Sequence, residues 1–143
     1  MIIPDINILV YAYDSKSSFH KPSRDWWEAT MNSGESVGMP WIVTLGFLRL
    51  VTHPRAFSNP VPIKDALEVV DSWLKHPNVT VLDPTAQHWR ILNEMLNIVQ
   101  VGSKLVSDAH LAAIAREYRA TLVTNDRDFE RFSGVSILNL LGR

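Results

Sequence analysis

Cysteine is absent from the 143 residues, which excludes disulfides, thiolate metal sites and a cysteine nucleophile together. Long apolar runs are also missing. The longest stretch free of Asp, Glu, Lys and Arg extends from Ser36 to Leu48 and is interrupted by glycine and proline, well short of the roughly 20 apolar residues that a spanning helix needs. The opening Met-Ile-Ile-Pro-Asp carries neither a basic leader nor a small-residue cleavage site, so a cytoplasmic protein without membrane contact is expected. Charge of one sign is not in excess either, since 14 Lys and Arg stand against 15 Asp and Glu. A broadly basic nucleic-acid coat is thereby excluded, whereas a basic rim around an acidic centre is not. Repeats and low-complexity segments are absent, and 46% hydrophobic content over this length predicts one domain covering residues 1–143.

What is present alternates in period. Met1 to Pro4 is a short apolar run that meets Asp5 at once, and Ile6 to Tyr13 continues as a short helix. His20 to Asn32 reads as a helix with Pro22 in its first turn and Gly34 after its end. Val37 to Met39 is a second strand and Trp41 to Val51 a helix that is apolar nearly all round. Pro54 to Pro62, with three prolines, is the clearest loop. Ile63, Ala66, Leu67, Val70 and Leu74 keep helical spacing. Thr80 to Leu82 is a strand, and Trp89, Leu92, Leu96 and Val99 form a further helical stripe, as do Leu111, Ile114, Ala115 and Tyr118. Thr121 to Thr124 and Val135 to Leu138 are the last strands. Short β runs alternating with helices imply an α/β fold, a three-layer α/β/α sandwich with a central parallel sheet, whose chemistry gathers beyond the carboxyl ends of the strands.

Most acids, such as Glu28, Glu68, Asp71, Glu94 and Glu117, fit solvated helix surfaces. Four do not. Asp5 follows a strand among Ile3, Ile6 and Ile8; Asp108 shares the apolar stripe of Leu111 and Ala115; Asp126 and Asp128 follow the strand Thr121 to Thr124. Singly, each has a structural alternative: Asp5 as a turn former or helix cap, Asp108 as an acid at a helix N-terminus after Ser107, Asp126 and Asp128 as loop acids paired with Arg127 or Arg131. Jointly, three of them are expected to converge on one sheet edge. Two carboxylates about 4 Å apart repel by about 4 kcal/mol at an effective dielectric of about 20. A divalent cation relieves such a cluster, and an all-oxygen donor set suits Mg²⁺ or Mn²⁺ better than zinc. His20, His53, His76, His88 and His110 include no pair spaced three or four apart, and all five read as surface or structural residues.

The opening Pro-Asp-Ile-Asn-Ile-Leu-Val-Tyr-Ala, the later Ser-Asp-Ala-His-Leu-Ala-Ala and the late Leu-Val-Thr-Asn-Asp-Arg-Asp-Phe resemble, in order, the three signature segments of PIN-domain ribonucleases, most closely the VapC toxins of bacterial toxin–antitoxin modules. The resemblance implies that Asp5, Asp108 and Asp126 bind the metal, that Asp128 is the further acid of an Asp-x-Asp-Phe turn, that Asn7 orients the first carboxylate or contacts a water, and that Thr124 takes the Ser/Thr position before the late acids. It also implies hydrolysis of RNA to 5′-phosphate and 3′-hydroxyl ends, a VapB-like antitoxin that blocks the site, and a homodimer. One departure stands out. Many PIN domains carry a Glu on the helix spanning Trp41 to His53, whereas this chain has Gly46 at or beside that place and no carboxylate anywhere from Ser36 to Lys64. A site with one well-held metal and a poorer second one is expected.

RNA affinity is expected from a rim of Lys16, Lys21, Arg24, Arg49, Arg55, Arg127 and Arg131, with Arg49 and Arg55 also facing an antitoxin's acids. Trp73 and Trp89 are expected in the core, while Trp26 and Trp27 cannot both face inward. Other readings remain open. A haloacid-dehalogenase phosphatase wants Asp-x-Asp where this chain has Asp5-Ile6-Asn7. A phospho-receiver wants a central Asp and a late Lys, but Asp83 precedes Pro84 and no Lys follows Lys104. The alternative outside enzymology is a degenerate PIN domain that binds RNA or antitoxin without cutting.

Overall fold

Ile3, Val37, Met39 and Leu122 are wholly buried because they lie in the middle of a parallel sheet. The computed structural model describes residues 1–57, 59–100 and 102–142. Its strands are β1 (Ile2–Pro4), β2 (Val37–Pro40), β3 (Val79–Leu82), β4 (Thr121–Thr124) and β5 (Ser136–Asn139). Every pairing is parallel, in the order β3-β2-β1-β4-β5, with Ile3 opposite Leu122 and Pro4 opposite Val123. The helices α1 (Ile6–Tyr13), α2 (His20–Asn32), α3 (Trp41–Val51), α4 (Ile63–Leu74), α5 (His88–Val99) and α6 (Lys104–Glu117) flank the sheet as the expected three-layer sandwich. A 3₁₀ turn, Arg127–Arg131, links β4 to β5. The chain builds outward from β1 to β2 and β3 on one side and to β4 and β5 on the other. The ends of β1 and β4 therefore form the crevice where such sheets collect ligands.

Local chemistry sets the helix starts. Pro40 and Pro62 stand at the N-caps of α3 and α4, where a missing N–H costs no hydrogen bond. The ring centroids of Phe47 and Trp73 lie 4.6 Å apart and those of Trp27 and Trp73 5.7 Å apart, joining α2, α3 and α4 in one aromatic cluster. Trp27 is buried and Trp26 only partly so. Trp89 departs from expectation, being 71% exposed. The inward face of α5 centres on the buried Ile91 and Met95, with Leu92, Leu96 and Val99 of the expected stripe partly buried against the core beside them; only Trp89 lies off it. Trp89 sits in the first turn of α5, where helical spacing alone does not tell whether the core extends that far.

Glu117 departs as well. Its side chain is 1% exposed and ties α6 to the start of α5. Thr85 donates to Glu117 Oε1 from both its amide (2.8 Å) and its hydroxyl (2.7 Å), His88 Nδ1 lies 2.6 Å from Oε2, and His88 Nε2 lies 2.9 Å from His110 Nδ1. Burial acting alone would raise the Glu117 carboxyl, but the bonds from His88 and Thr85 outweigh it and hold the group below its ordinary value. Burial, with the neighbouring His88, holds His110 low too. Both folded values lie below the unfolded ones. Their contribution to stability is therefore present at neutral pH and is lost as pH falls, first below about 6.5 through His110 and then through Glu117. Glu117→Ala leaves the Thr85 amide and hydroxyl and His88 Nδ1, all partly buried, without their partner, and urea denaturation at pH 7.5 is expected to show a loss of about 2–3 kcal/mol.

Candidate active site

Asp5 enters the crevice because β1 ends there. Its backbone amide still donates to Val123 O of β4 at 2.8 Å, while its side chain caps α1 by accepting from the Ile6 amide at 2.7 Å. Capping and burial coincide: Asp5 is 6% exposed, and its second oxygen accepts a 2.7 Å bond from Thr124 Oγ1. Thr124 Oγ1 in turn accepts from the Asp126 amide at 2.9 Å, so one buried hydroxyl sets the spacing between the first acid and the late ones. Asp126 then accepts from the Asp128 amide at 2.9 Å and opens the 3₁₀ turn, which Phe129 and Phe132 anchor in the core.

Asp108 arrives from α6, which begins at Lys104, a full turn before Ser107. An acid in the second turn no longer meets free amides, so the N-terminal reading of Asp108 does not hold. Ligand oxygens of Asp108, Asp126 and Asp128 lie within 4.8 Å of one another. Asp5 stands behind this trio, close enough for the charges of Asp108 and Asp126 to act on it. The grouping thus differs from the expected set of Asp5, Asp108 and Asp126 by bringing Asp128 forward.

The electrostatics follow from that crowding. Burial raises the Asp5 carboxyl, the bonds from Thr124 and Ile6 lower it, Asp108 and Asp126 raise it again, and the result is about 6. Asp108 is also raised, by burial and then by Asp126 and Asp128, against the opposing charge of Lys104. Asp108 Oδ2 is buried with no hydrogen-bond partner. An orphaned buried oxygen carries a desolvation cost that a ligand would relieve. The donor set is all oxygen, and an octahedral Mg²⁺ spans about 4 Å between opposite oxygens, so these residues fit the group that an acidic cluster of this kind calls for.

Asn7 is exposed and its amide makes no hydrogen bond among the described residues; Thr124, not Asn7, orients Asp5. Lys21 and Arg24 pair with Asp25 on α2. Arg49 lines, with Ile6, Gly46 and Ser107, a cavity of about 410 Å³ next to the chain neighbours of Asp5 and Asp108. Arg127 and Arg131 are exposed on the 3₁₀ turn beside the late acids. Lys104 was missed by the rim expectation, yet its Nζ lies 3.9 Å from Asp126 Oδ2 and 3.8 Å from Asp128 Oδ2. Its place four residues before Asp108, on the same helix face, was the available signal.

At Gly46 a Cβ would lie 2.5 Å from Ile6 Cδ1 and 2.9 Å from Ile6 Cγ1. Ile6 fills the place beside Asp5 from which an α3 carboxylate would reach the nest. Away from the crevice, Trp41 (46% exposed), Leu45 (59%), Ile63 (55%) and Leu67 (49%) line an open apolar groove of about 670 Å³ between α3 and α4. No helix among the described residues is long and apolar enough to cross a membrane.

A sequence profile of the PIN domain matches residues 2–135. Ribonuclease VapC37 of Mycobacterium tuberculosis is 43% identical over 135 residues, covering 94% of each chain. Ribonuclease VapC33 of the same organism is 38% identical over 133 residues, covering 93% of each. Among solved structures, VapBC2 from Rickettsia felis bound to a promoter DNA fragment matches with a TM-score of 0.70 at 20% identity, over 96% of this chain and 98% of that one. The sarcin-ricin loop cleaving toxin VapC20 of Mycobacterium tuberculosis matches with a TM-score of 0.68 at 16% identity, over 94% and 98%. At these identities the structural matches bear on the fold.

Proposed function

The chain belongs to the PIN-domain family, among the VapC ribonucleases, and on that footing we propose that it is a metal-dependent endoribonuclease, the toxin of a toxin–antitoxin pair, acting through Asp5, Asp108, Asp126 and Asp128. The observation that carries the reading is Asp108, which keeps a buried, partnerless Oδ2 and brings a carboxylate oxygen within 4.8 Å of those of Asp126 and Asp128. Asp108 and Asp126 would hold Mg²⁺ or Mn²⁺, with Asp5 adding negative charge from behind and binding directly or through water. The bound cation supplies a more acidic water and screens charge on the phosphate. Asp128, half-buried at the mouth, orients the attacking water and takes its proton. Thr124 keeps Asp5 and Asp126 at a fixed spacing throughout. Arg49, Arg127 and Arg131 draw the RNA backbone to the acidic centre. The groove of Trp41, Leu45, Ile63 and Leu67 is the apolar surface that a VapB-like antitoxin or a second copy of the chain requires, and the neighbours solved as VapBC complexes support such a partner.

The test uses purified toxin free of antitoxin, total RNA, and either Mg²⁺, Mn²⁺ or chelator, beside Asp108→Asn. Cleavage is expected with metal alone and at least about 100-fold slower in the variant. Cutting that survives chelator, or that Asp108→Asn leaves intact, rejects the mechanism. RNA binding without cutting in every condition favours the degenerate module.

A further inference from the structure

The acidic crevice already contains a cation, and the chain itself supplies it. Lys104 opens α6, and its ammonium stands 3.9 Å from Asp126 Oδ2 and 3.8 Å from Asp128 Oδ2 while the side chain remains 74% exposed. Its charge opposes the upward push that Asp126 and Asp128 exert on Asp108. It is therefore coupled to all three members of the trio. Two features make this arrangement labile. The distances are those of an ion pair without a short hydrogen bond, and an exposed lysine is a flexible, strongly hydrated point charge that leaves one partner for another at little cost. The residue before it, Ser103, has φ 56°, a positive value that a serine takes only when its surroundings hold it there.

We propose that Lys104 is an internal competitor of the divalent cation. In the cation-free protein it neutralises Asp126 and Asp128; when a divalent cation binds at Asp108 and Asp126, the ammonium is driven off both late carboxylates and becomes free to take a non-bridging oxygen of the substrate phosphate. The proposal rests on the metal reading above and adds to it an exchange of one cation for another at the same oxygens. Removing the lysine then has two effects of opposite sign. The site binds the divalent ion more tightly, because nothing has to be displaced and no like charge remains beside it. RNA is held less well, because one phosphate contact is gone.

Mn²⁺ titration by calorimetry of the full chain, without RNA, reads the first effect. Lys104→Met is expected to bind about three- to tenfold tighter than wild type at low salt, with the difference shrinking toward unity in about 0.5 M NaCl as screening takes over. Lys104→Arg, which keeps the charge, is expected to stay near wild type. Cleavage kinetics read the second effect: Lys104→Met raises KM severalfold while its metal affinity improves. A purely structural role for the lysine would weaken both together. If wild type binds Mn²⁺ and a folded Lys104→Met, checked by circular dichroism, binds it equally or more weakly, the proposal is overturned and the metal reading survives. If neither protein binds Mn²⁺, both are overturned.

Discussion

Asp5→Asn is expected to make the protein more stable while stopping its chemistry. At 6% exposure, burial is the largest influence on this carboxyl and pushes it up; Thr124 and Ile6 pull it down, and Asp108 and Asp126 push it up again, to about 6. The unfolded chain ionises it near the ordinary value of about 3.9. The folded value lies above the unfolded one, so this group's contribution is fully favourable below about pH 4 and is lost as pH rises through 6. A shift of about two units corresponds to about 3 kcal/mol against the folded state at neutral pH. Asparagine removes the charge and keeps the acceptor for the Ile6 amide, but its amide nitrogen meets Thr124 Oγ1, which must turn its proton elsewhere. The net gain at pH 7.5 in chelator is therefore smaller, about 1–2 kcal/mol. At pH 4 it vanishes or reverses. Urea denaturation of both proteins at the two pH values measures it, and the acid-labile His110 and Glu117 contributions cancel in the difference. RNA cleavage by the variant falls at least about 100-fold. A variant no more stable than wild type at pH 7.5 removes the electrostatic account of the nest, whatever happens to activity.

That opposition between stability and chemistry explains why the site was legible in the sequence at all. An aspartate after a buried strand, one on an apolar helix stripe and two after another strand are each locally unfavourable, and acids in unfavourable places that a parallel sheet brings together are what sequence reading can find. The strands were legible for a related reason: β1 to β5 are short apolar runs with turn signals at both ends, and their observed limits differ from the expected ones by a residue or so. Three features were hidden. Which carboxylates come within ligand distance depends on rotamers, so Asp128 joined the trio and Asp5 fell behind it. The start of α6 has no side-chain cap, so no local signal marks Lys104 as its first residue or places it beside the late acids. The Glu117 to His88 to His110 chain joins residues up to 29 apart in sequence, and no local spacing carries such a contact.

Gly46→Glu looks like a repair of the family's missing carboxylate, and the packing predicts that it acts as damage. The Cβ would come within 2.5 Å of Ile6 Cδ1, 2.9 Å of Cγ1 and 3.2 Å of Cγ2. Cδ1 alone could swing away, but three atoms of a β-branched residue in a helix cannot move together without changing χ1, which such residues resist there. Overpacking of this kind costs about 1–3 kcal/mol, and a fifth acid adds repulsion to a nest already strained enough to raise Asp5 and Asp108. The single variant is expected to lose about 3 kcal/mol in chelator and to recover little activity. Trimming the obstacle reverses the order: Gly46→Glu combined with Ile6→Ala opens the space beside Asp5. The double variant is expected to be more stable than Gly46→Glu alone and to regain more stability from saturating Mn²⁺ than wild type does, because an additional carboxylate then faces the cation. The comparison requires melting temperatures of wild type, both single variants and the double variant, with chelator and with Mn²⁺. A Gly46→Glu protein as stable as wild type would mean that Ile6 yields freely. The absent glutamate would then be owed to something other than the close packing of α1 against α3.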